Sequence, residues 1–344
     1  MVLQSSSNWN LSRVTRNHAW STLQEKKRER ERESRRAMFS RLCPSSSRRI
    51  AARSFGSVNV IASEGFGGAQ ADRYQASRPA YSADCVKTVS DIVAGDSYGA
   101  YKSKPMRLLE IAAGTGKFTH SFIKDSPLRG DTSVKIEYIA TEPSDGFLAK
   151  LRGVVAAEKS PWRVTATAGT AESIPVDDRS VDAIIVAQAF HWFSKIESLE
   201  AFHRALKPGK ALILVWNFFD TDVEWIRELE HGLVTPVYDK MESASGDIVP
   251  RYINGRWREV FDTHRAKQLF SPLSSSSSTI VHRCDANTIV DRILSVSVVA
   301  RLPQEEQAEM ARRVRELLRT HTQTRGAATF DLQYKTSVRW AHAL

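Results

Sequence analysis

One stretch restricts the fold of this chain more than any other: Leu108 to His120, LLEIAAGTGKFTH. Leu108, Leu109 and Ile111 form a short apolar run that reads as a buried strand, and the run carries one acid, Glu110. It breaks at Gly114-Thr115-Gly116 and then enters a segment with helical spacing. Strand, glycine turn and helix form the opening unit of a nucleotide-binding α/β fold. Glycine removes Cβ where the backbone turns tightly and where a ligand must come close. The helix beyond the turn offers unpaired N–H groups to an electron-rich partner.

The text on either side repeats this unit. Strands are expected over 107–112, 136–141, 163–168, 181–187 and 211–216, with helices between them. The fourth is almost continuously apolar, as a strand covered on both faces should be. Upstream, Ser82 suits the cap of a helix whose Val86, Val89, Ile92 and Val93 share one face. Strands alternating with helices imply a parallel, doubly wound sheet with right-handed crossovers. After Asn217 the pattern loosens. A helix is expected over 223–233, a Gly-, Pro-, Arg- and aromatic-rich region over 236–261, and a loop insertion at Ser274 to Ser278. An amphipathic helix over 303–318 and an alternating strand over 328–340 close the chain.

The formal net charge of +10 invites a nucleic-acid partner, but its distribution argues otherwise. Residues 1–63 hold 13 of the 49 Lys and Arg and 4 of the 39 Asp and Glu, which leaves 36 basic and 35 acidic groups in the rest. The body is nearly neutral and offers no basic surface to phosphates, so no nucleic-acid partner is expected. Cys43, Cys85 and Cys284 are odd in number and widely spaced, which suits a reducing compartment. His264, His282 and Asp285 are too scattered for metal ligands, and no metal is expected. No apolar run approaches the ~20 residues of a membrane span. Residues 1–63 read as a disordered basic tail or a transit peptide, and 64–344 as the folded domain. The run from Met38 has arginines and serines but no acid before Glu64. The expected location is cytoplasmic, or mitochondrial if Met38 is the true start.

Four features fall at the C-terminal ends of successive strands, where open α/β sheets bind ligands. They are the glycine turn, Glu142, Ala171-Glu172, and the run from Gln188 to Phe193. Glu142 ends the second strand and, as an acceptor-only carboxylate, is placed to hold both hydroxyls of a ribose. A dinucleotide site would want a third glycine, but Gly114-Thr115-Gly116-Lys117-Phe118 leads into Thr119. Instead an acid, Glu110, stands four residues before the first glycine. That acid suits a ligand with an ammonium group and disfavours a pyrophosphate. Tyr74, Arg78 and Tyr81 read as a lid that brings a cation and hydroxyls over the pocket.

At these motifs the sequence resembles the class I S-adenosylmethionine-dependent methyltransferases, nearest to the small-molecule branch that includes trans-aconitate methyltransferase. The elements are DRYQASRPAY, EIAAGTG, TEP, GTAESIPVDDRSVDAIIVAQAFHWF, RALKPGKALILVWN, PRYINGRW, SVSVVARLPQEE and YKTSVRWA, which together reach from Phe66 to the last residue. The resemblance implies a doubly wound, mostly parallel seven-stranded sheet of Rossmann-like α/β type, an antiparallel last strand, and a helical cap near 219–320. It implies S-adenosylmethionine as cofactor. Glu110, Ala112 and the Gly114–Thr115–Gly116 turn would hold its methionine part, Glu142 the ribose, and Ala171 and Glu172 the adenine edge. Gln188 would pass beside it. Tyr74 and Arg78 would close over the methionine end or the substrate.

Methyl transfer from a sulfonium needs a base only when the acceptor is protonated at neutral pH. His191, at a strand's ligand end, is the one candidate base; packing beside Trp192 and Phe193 is its alternative role. Trp192 would face the substrate, and Arg251, Tyr252 and Trp257 would bind an anionic or flat substrate from the cap. The expected activity is methylation of a small organic acceptor, with O-methylation of a carboxylate foremost. The alternatives are a mitochondrial quinone-type C-methyltransferase and an assembly factor of methyltransferase fold without turnover. The sequence does not reveal the oligomeric state.

Overall fold

The computed structural model describes residues 75–95 and 104–344, so the basic N-terminal stretch, the presequence expected from Met38, and Tyr74 lie outside the described residues. Seven strands form one sheet: β1 Met106–Ile111, β2 Ile136–Thr141, β3 Arg163–Thr167, β4 Val181–Ala187, β5 Leu206–Phe219, β6 Ser274–Cys284 and β7 Phe330–His342. Their order is β3-β2-β1-β4-β5-β7-β6. Strands β1 to β5 are parallel, whereas β7 runs antiparallel to β5, and β6 antiparallel to β7. This is the doubly wound, mostly parallel sheet that the alternation predicts.

Alternate residues of β5 show how the two faces are built. Ala211, Ile213 and Val215 point into one core, and Leu212, Leu214 and Trp216 into the other. The first face is covered by α1 (Ala83–Ala94), α2 (Lys117–Asp125) and α3 (Asp145–Ala157), through Val86 and Val89, Phe118 and Phe122, and Leu148 and Leu151. The second is covered by α4 (Ile196–Ala205), through Leu199 and Phe202, and by Val260, Ala266 and Leu269. Each such Val, Leu or Phe side chain contributes roughly 1.5–3 kcal/mol when taken out of water.

The winding reverses at β1. The chain steps outward from β1 through β2 to β3, then returns to the other side of β1 for β4 and β5. In open sheets of this kind, the reversal opens a crevice at the C-terminal ends of the two strands it separates.

Two expectations need correction. Ser274 to Ser278 is not a loop insertion but the start of β6, paired with β7 from Ser274 opposite Trp340 to Cys284 opposite Phe330. Its serines lie at an open, mostly exposed edge, so backbone bonds hold them and no apolar alternation marks the strand. The helix after β5 does not stop near 233. Helix Glu224–Arg227 continues through a π-helical turn, Glu228–Val234, into helix Thr235–Ser245. Residues 219–320, the region expected as the cap, contribute to two cores. Trp257, Val260 and Ala266 pack on the sheet beside α4, while helices Ala286–Leu294 and Gln304–Thr320 share a third core with Trp225, Leu229 and Phe330.

Candidate active site

A cleft of about 860 Å³ opens at the C-terminal ends of β1, β2 and β4. Its floor is the turn after β1. Ala112 takes φ of 55°, Gly114 62° and Gly116 84°, three left-handed residues within five positions. Ala112, Gly114 and Thr115 line the cleft. Gly114 has no atom within 4 Å of where a Cβ would stand, so its missing side chain leaves open space. Gly116 does not line the cleft. A Cβ there would come within 2.8 Å of Leu151 Cδ1, so this glycine lets α3 pack close and does not admit a ligand.

Glu110 is fully buried at the end of β1 and lines the cleft. Its Oε2 accepts hydrogen bonds from Thr119 Oγ1 at 2.5 Å and Tyr138 Oη at 2.8 Å. Its Oε1 is buried with no hydrogen-bond partner among the described residues. Burial pushes its pKa up to about 7, against the pull of the two hydroxyl donors. An unsatisfied buried acceptor is costly, and a bound cation with N–H donors would relieve it.

Glu142 follows β2 and is also buried. Its two oxygens each accept one backbone N–H at 2.9 Å, Oε2 from Gly114 and Oε1 from Ser144. The carboxylate thus clamps the glycine turn to β2 and keeps a lone pair on each oxygen for a ligand. Burial raises its pKa to about 6, and the two N–H bonds oppose the rise. Beyond β3, Ala171 and Glu172 line the same side, and Glu172 is tied to Lys195 Nζ at 2.9 Å. Gln188 ends β4 in a left-handed conformation, φ 60°, and its Nε2 donates to the Asn217 carbonyl at 2.8 Å. The cleft therefore collects every residue proposed from sequence for cofactor binding except Gly116.

The cleft also carries cations. Arg78, Lys117 and Arg292 line it, together with Tyr334, Asn217 and Trp192. Arg78 Nη2 donates to the Ser295 carbonyl at 3.1 Å, and Lys117 Nζ donates to the Arg78 carbonyl at 2.5 Å. Burial, then the charge of Arg78, lower the Lys117 pKa to about 8. Lys117, Arg292 and Tyr334 are residues the sequence reading missed. For Arg292 there is a signal: a charge set among Ile289, Val290 and Ile293, the buried residues of its helix.

Four residues expected on the substrate side lie outside this cleft. His191 does not line this cleft but a separate cavity of about 510 Å³. Its Nδ1 accepts from Trp216 Nε1 at 3.2 Å, and burial, helped by Arg78, pushes its pKa down to about 3. The imidazole packs against Trp216 and does not face this cleft. Arg251, Tyr252 and Trp257 also stay out of the cleft. Trp257 is 1% exposed and packs on Trp216 with ring centroids 4.5 Å apart. Tyr252 lies against Trp216 and Phe218, each at 4.8 Å. Arg251 stands 4.4 Å over the Tyr238 ring. Aromatic packing, which sequence composition cannot separate from an aromatic binding wall, accounts for all three.

A family model described as a methyltransferase domain matches residues 108–209, which span the glycine turn, Glu142, Glu172 and Gln188. An uncharacterized methyltransferase-like protein of Schizosaccharomyces pombe is 29% identical over 264 residues, covering 76% of this chain and 90% of the relative. The chain is an S-adenosylmethionine-dependent methyltransferase. A shorter match joins this methyltransferase to malonyl-[acyl-carrier protein] O-methyltransferase of Methylococcus capsulatus, 30% identical over 109 residues, or 31% of this chain and 36% of the relative. Its fold is shared by the solved structure of a candidate type II methyltransferase from Anaeromyxobacter dehalogenans, with a TM-score of 0.50 at 18% identity over 77% of this chain and 97% of that one. The residues of the methyltransferase fit the cofactor on their own terms. Glu110 Oε1 lacks a donor, Gly114 leaves room, and Glu142 has an unused lone pair on each oxygen.

Proposed function

We propose that this methyltransferase acts on a small organic acid, transferring the methyl group of S-adenosylmethionine to a carboxylate oxygen. The observation that carries the reading is the set of cations in the cleft: it is lined by Arg78, Lys117 and Arg292, and among the described residues no histidine lines it. A carboxylate is already ionised at neutral pH and needs no base to become a nucleophile. Arginine and lysine are the side chains that recognise such an anion. The resemblance to the trans-aconitate methyltransferase branch and the short match to an O-methyltransferase agree with this chemistry.

When bound, the cofactor supplies a methyl group on a sulfonium whose leaving group is already activated. The protein's part is then alignment, worth ~7–11 kcal/mol in well-oriented systems. Glu110 would hold the ammonium group and Glu142 the ribose hydroxyls. Ala171 and Glu172 would meet the adenine edge, and Gln188, fixed by the Asn217 carbonyl, would stand beside the ligand. Glu110 lies on β1, and Glu142 and Glu172 follow β2 and β3 on one side of it. Tyr334 and the guanidinium of Arg292 beside it lie on the β7 side.

Two measurements test the reading. The first incubates the protein with methyl-labelled S-adenosylmethionine and a panel of short aliphatic and unsaturated carboxylic acids. Label that mild alkali releases as methanol is the expected result; label confined to alkali-stable products, or no transfer, would refute carboxylate methylation. The second is calorimetry with S-adenosylmethionine and the Glu142→Ala variant. Loss of a buried acceptor should weaken binding by about 1–3 kcal/mol, and equal affinities would sink the ribose assignment.

A further inference from the structure

Of these three cations in the cleft, two are already committed to holding the fold. Arg78 donates to the Ser295 carbonyl, and Lys117 Nζ to the Arg78 carbonyl. Arg292 is different. It sits on helix Ala286–Leu294, whose Ile289, Val290 and Ile293 anchor it in the third core. It is 8% exposed and lines the cleft. Its guanidinium lies 4.7 Å over the Phe219 ring and 6.0 Å from that of Tyr334. Those rings stabilise the charge through their faces, and the Tyr334 hydroxyl also interacts with the guanidinium, but neither is a charged acceptor.

Nε and Nη1 of Arg292 are buried without a hydrogen-bond partner among the described residues. Together they present three N–H donors. Glu230 feels the charge of Arg292, yet the two make no ion pair among the described residues. A buried guanidinium left in this state is costly to the fold, and the cost is removed when an anion enters the cleft beside it. Charge-assisted bonds to a carboxylate are the strongest such partner a small molecule can bring.

We propose that Arg292 is the residue that reads the methyl acceptor, binding an anionic carboxylate group of the substrate through its unpartnered Nε and Nη1. The proposal rests on the organic-acid reading above and adds to it the residue that sets specificity. Phe219 and Tyr334 hold the guanidinium in place, so recognition comes from a rigid element of the fold.

The experiment uses the full chain, the acid from the labelled-methyl panel that gives the highest transfer, and the variants Arg292→Met and Arg292→Lys. Arg292→Met keeps the apolar stem and removes the donors. It should raise KM for the acid roughly 10- to 100-fold, by the worth of hydrogen bonds to a charged group. Affinity for S-adenosylmethionine, read by calorimetry, should stay within about twofold, and Arg292→Lys should recover part of the loss. If the Met variant does not fold, the Lys variant decides, through a rise in KM with unchanged cofactor affinity. Unchanged KM in a folded variant, or an equal loss of cofactor affinity, overturns the assignment of Arg292 and leaves organic-acid methylation standing. A wild-type protein that transfers no label to any carboxylate refutes both together.

Discussion

Gly114 and Gly116 stand two residues apart in one turn and meet different surroundings. Both have positive φ, so alanine at either should strain the backbone by about 1–2 kcal/mol. At Gly116 the added Cβ also meets Leu151 Cδ1 at 2.8 Å, whereas at Gly114 it meets open cleft. Gly116→Ala should therefore lower the melting temperature more than Gly114→Ala. Gly114→Ala should in turn lose more cofactor affinity, and melting curves paired with calorimetry separate the two. His191 gives a second contrast. Its Nδ1 serves the Trp216 indole and its ring is not in the cleft, so His191→Phe should keep kcat within a few-fold. A drop of two or more orders of magnitude in kcat would restore it as a catalytic base. That Glu110, Glu142 and Gln188 line one cleft was legible in the sequence because each lies in or just after an apolar run near a strand end. His191 and Trp257 misled because an aromatic residue near a strand end looks the same whether it faces ligand or core.

Among the elements, those with a strong apolar period were the readable ones. β2 and β4 occupy the predicted residues, 136–141 and 181–187. β6 was not readable, because Ser274 to Ser278 has no apolar face to announce a strand and owes its place to backbone pairing with β7. The same limit hid the long helix after β5. Pro236 suggests a break, yet the chain passes it through a π-helical turn, and Thr235 N–H reaches back to the Glu230 carbonyl. The carbonyl of Gly232 then accepts from Arg313 Nη2 at 3.4 Å, from outside the helix. Helix α1 behaves as its sequence predicts. Ser82 Oγ accepts from Cys85 N at 3.1 Å, so Ser82→Ala should cost about 1 kcal/mol, read as a shift in the urea midpoint. No measurable shift would mean that the packing of Val86 and Val89 alone secures the helix start.

For the molecule as a whole, burial of Glu110 and Glu142 ties stability to pH. Their ordinary pKa lies near 4.5, and burial in the fold raises it to about 7 for Glu110 and about 6 for Glu142. Between these limits the folded chain binds protons that the unfolded chain has released. Their contribution to stability should therefore fall as pH rises from about 4.5 to 7 and then level off. A cationic ligand reverses the preference at Glu110, so the rise in melting temperature given by S-adenosylmethionine should be larger at pH 7.5 than at pH 5.5. A shift independent of pH would remove Glu110 from the ammonium site. Among the described residues, no helix is long and apolar enough to cross a membrane, and no three His, Cys, Asp or Glu side chains cluster as metal ligands do. The lone Oε1 of Glu110 has one further consequence. An ammonium group arriving there displaces a proton into solution, so the heat of cofactor binding near pH 6.5 should differ between buffers in step with their ionisation enthalpies. The slope of that dependence counts the protons released.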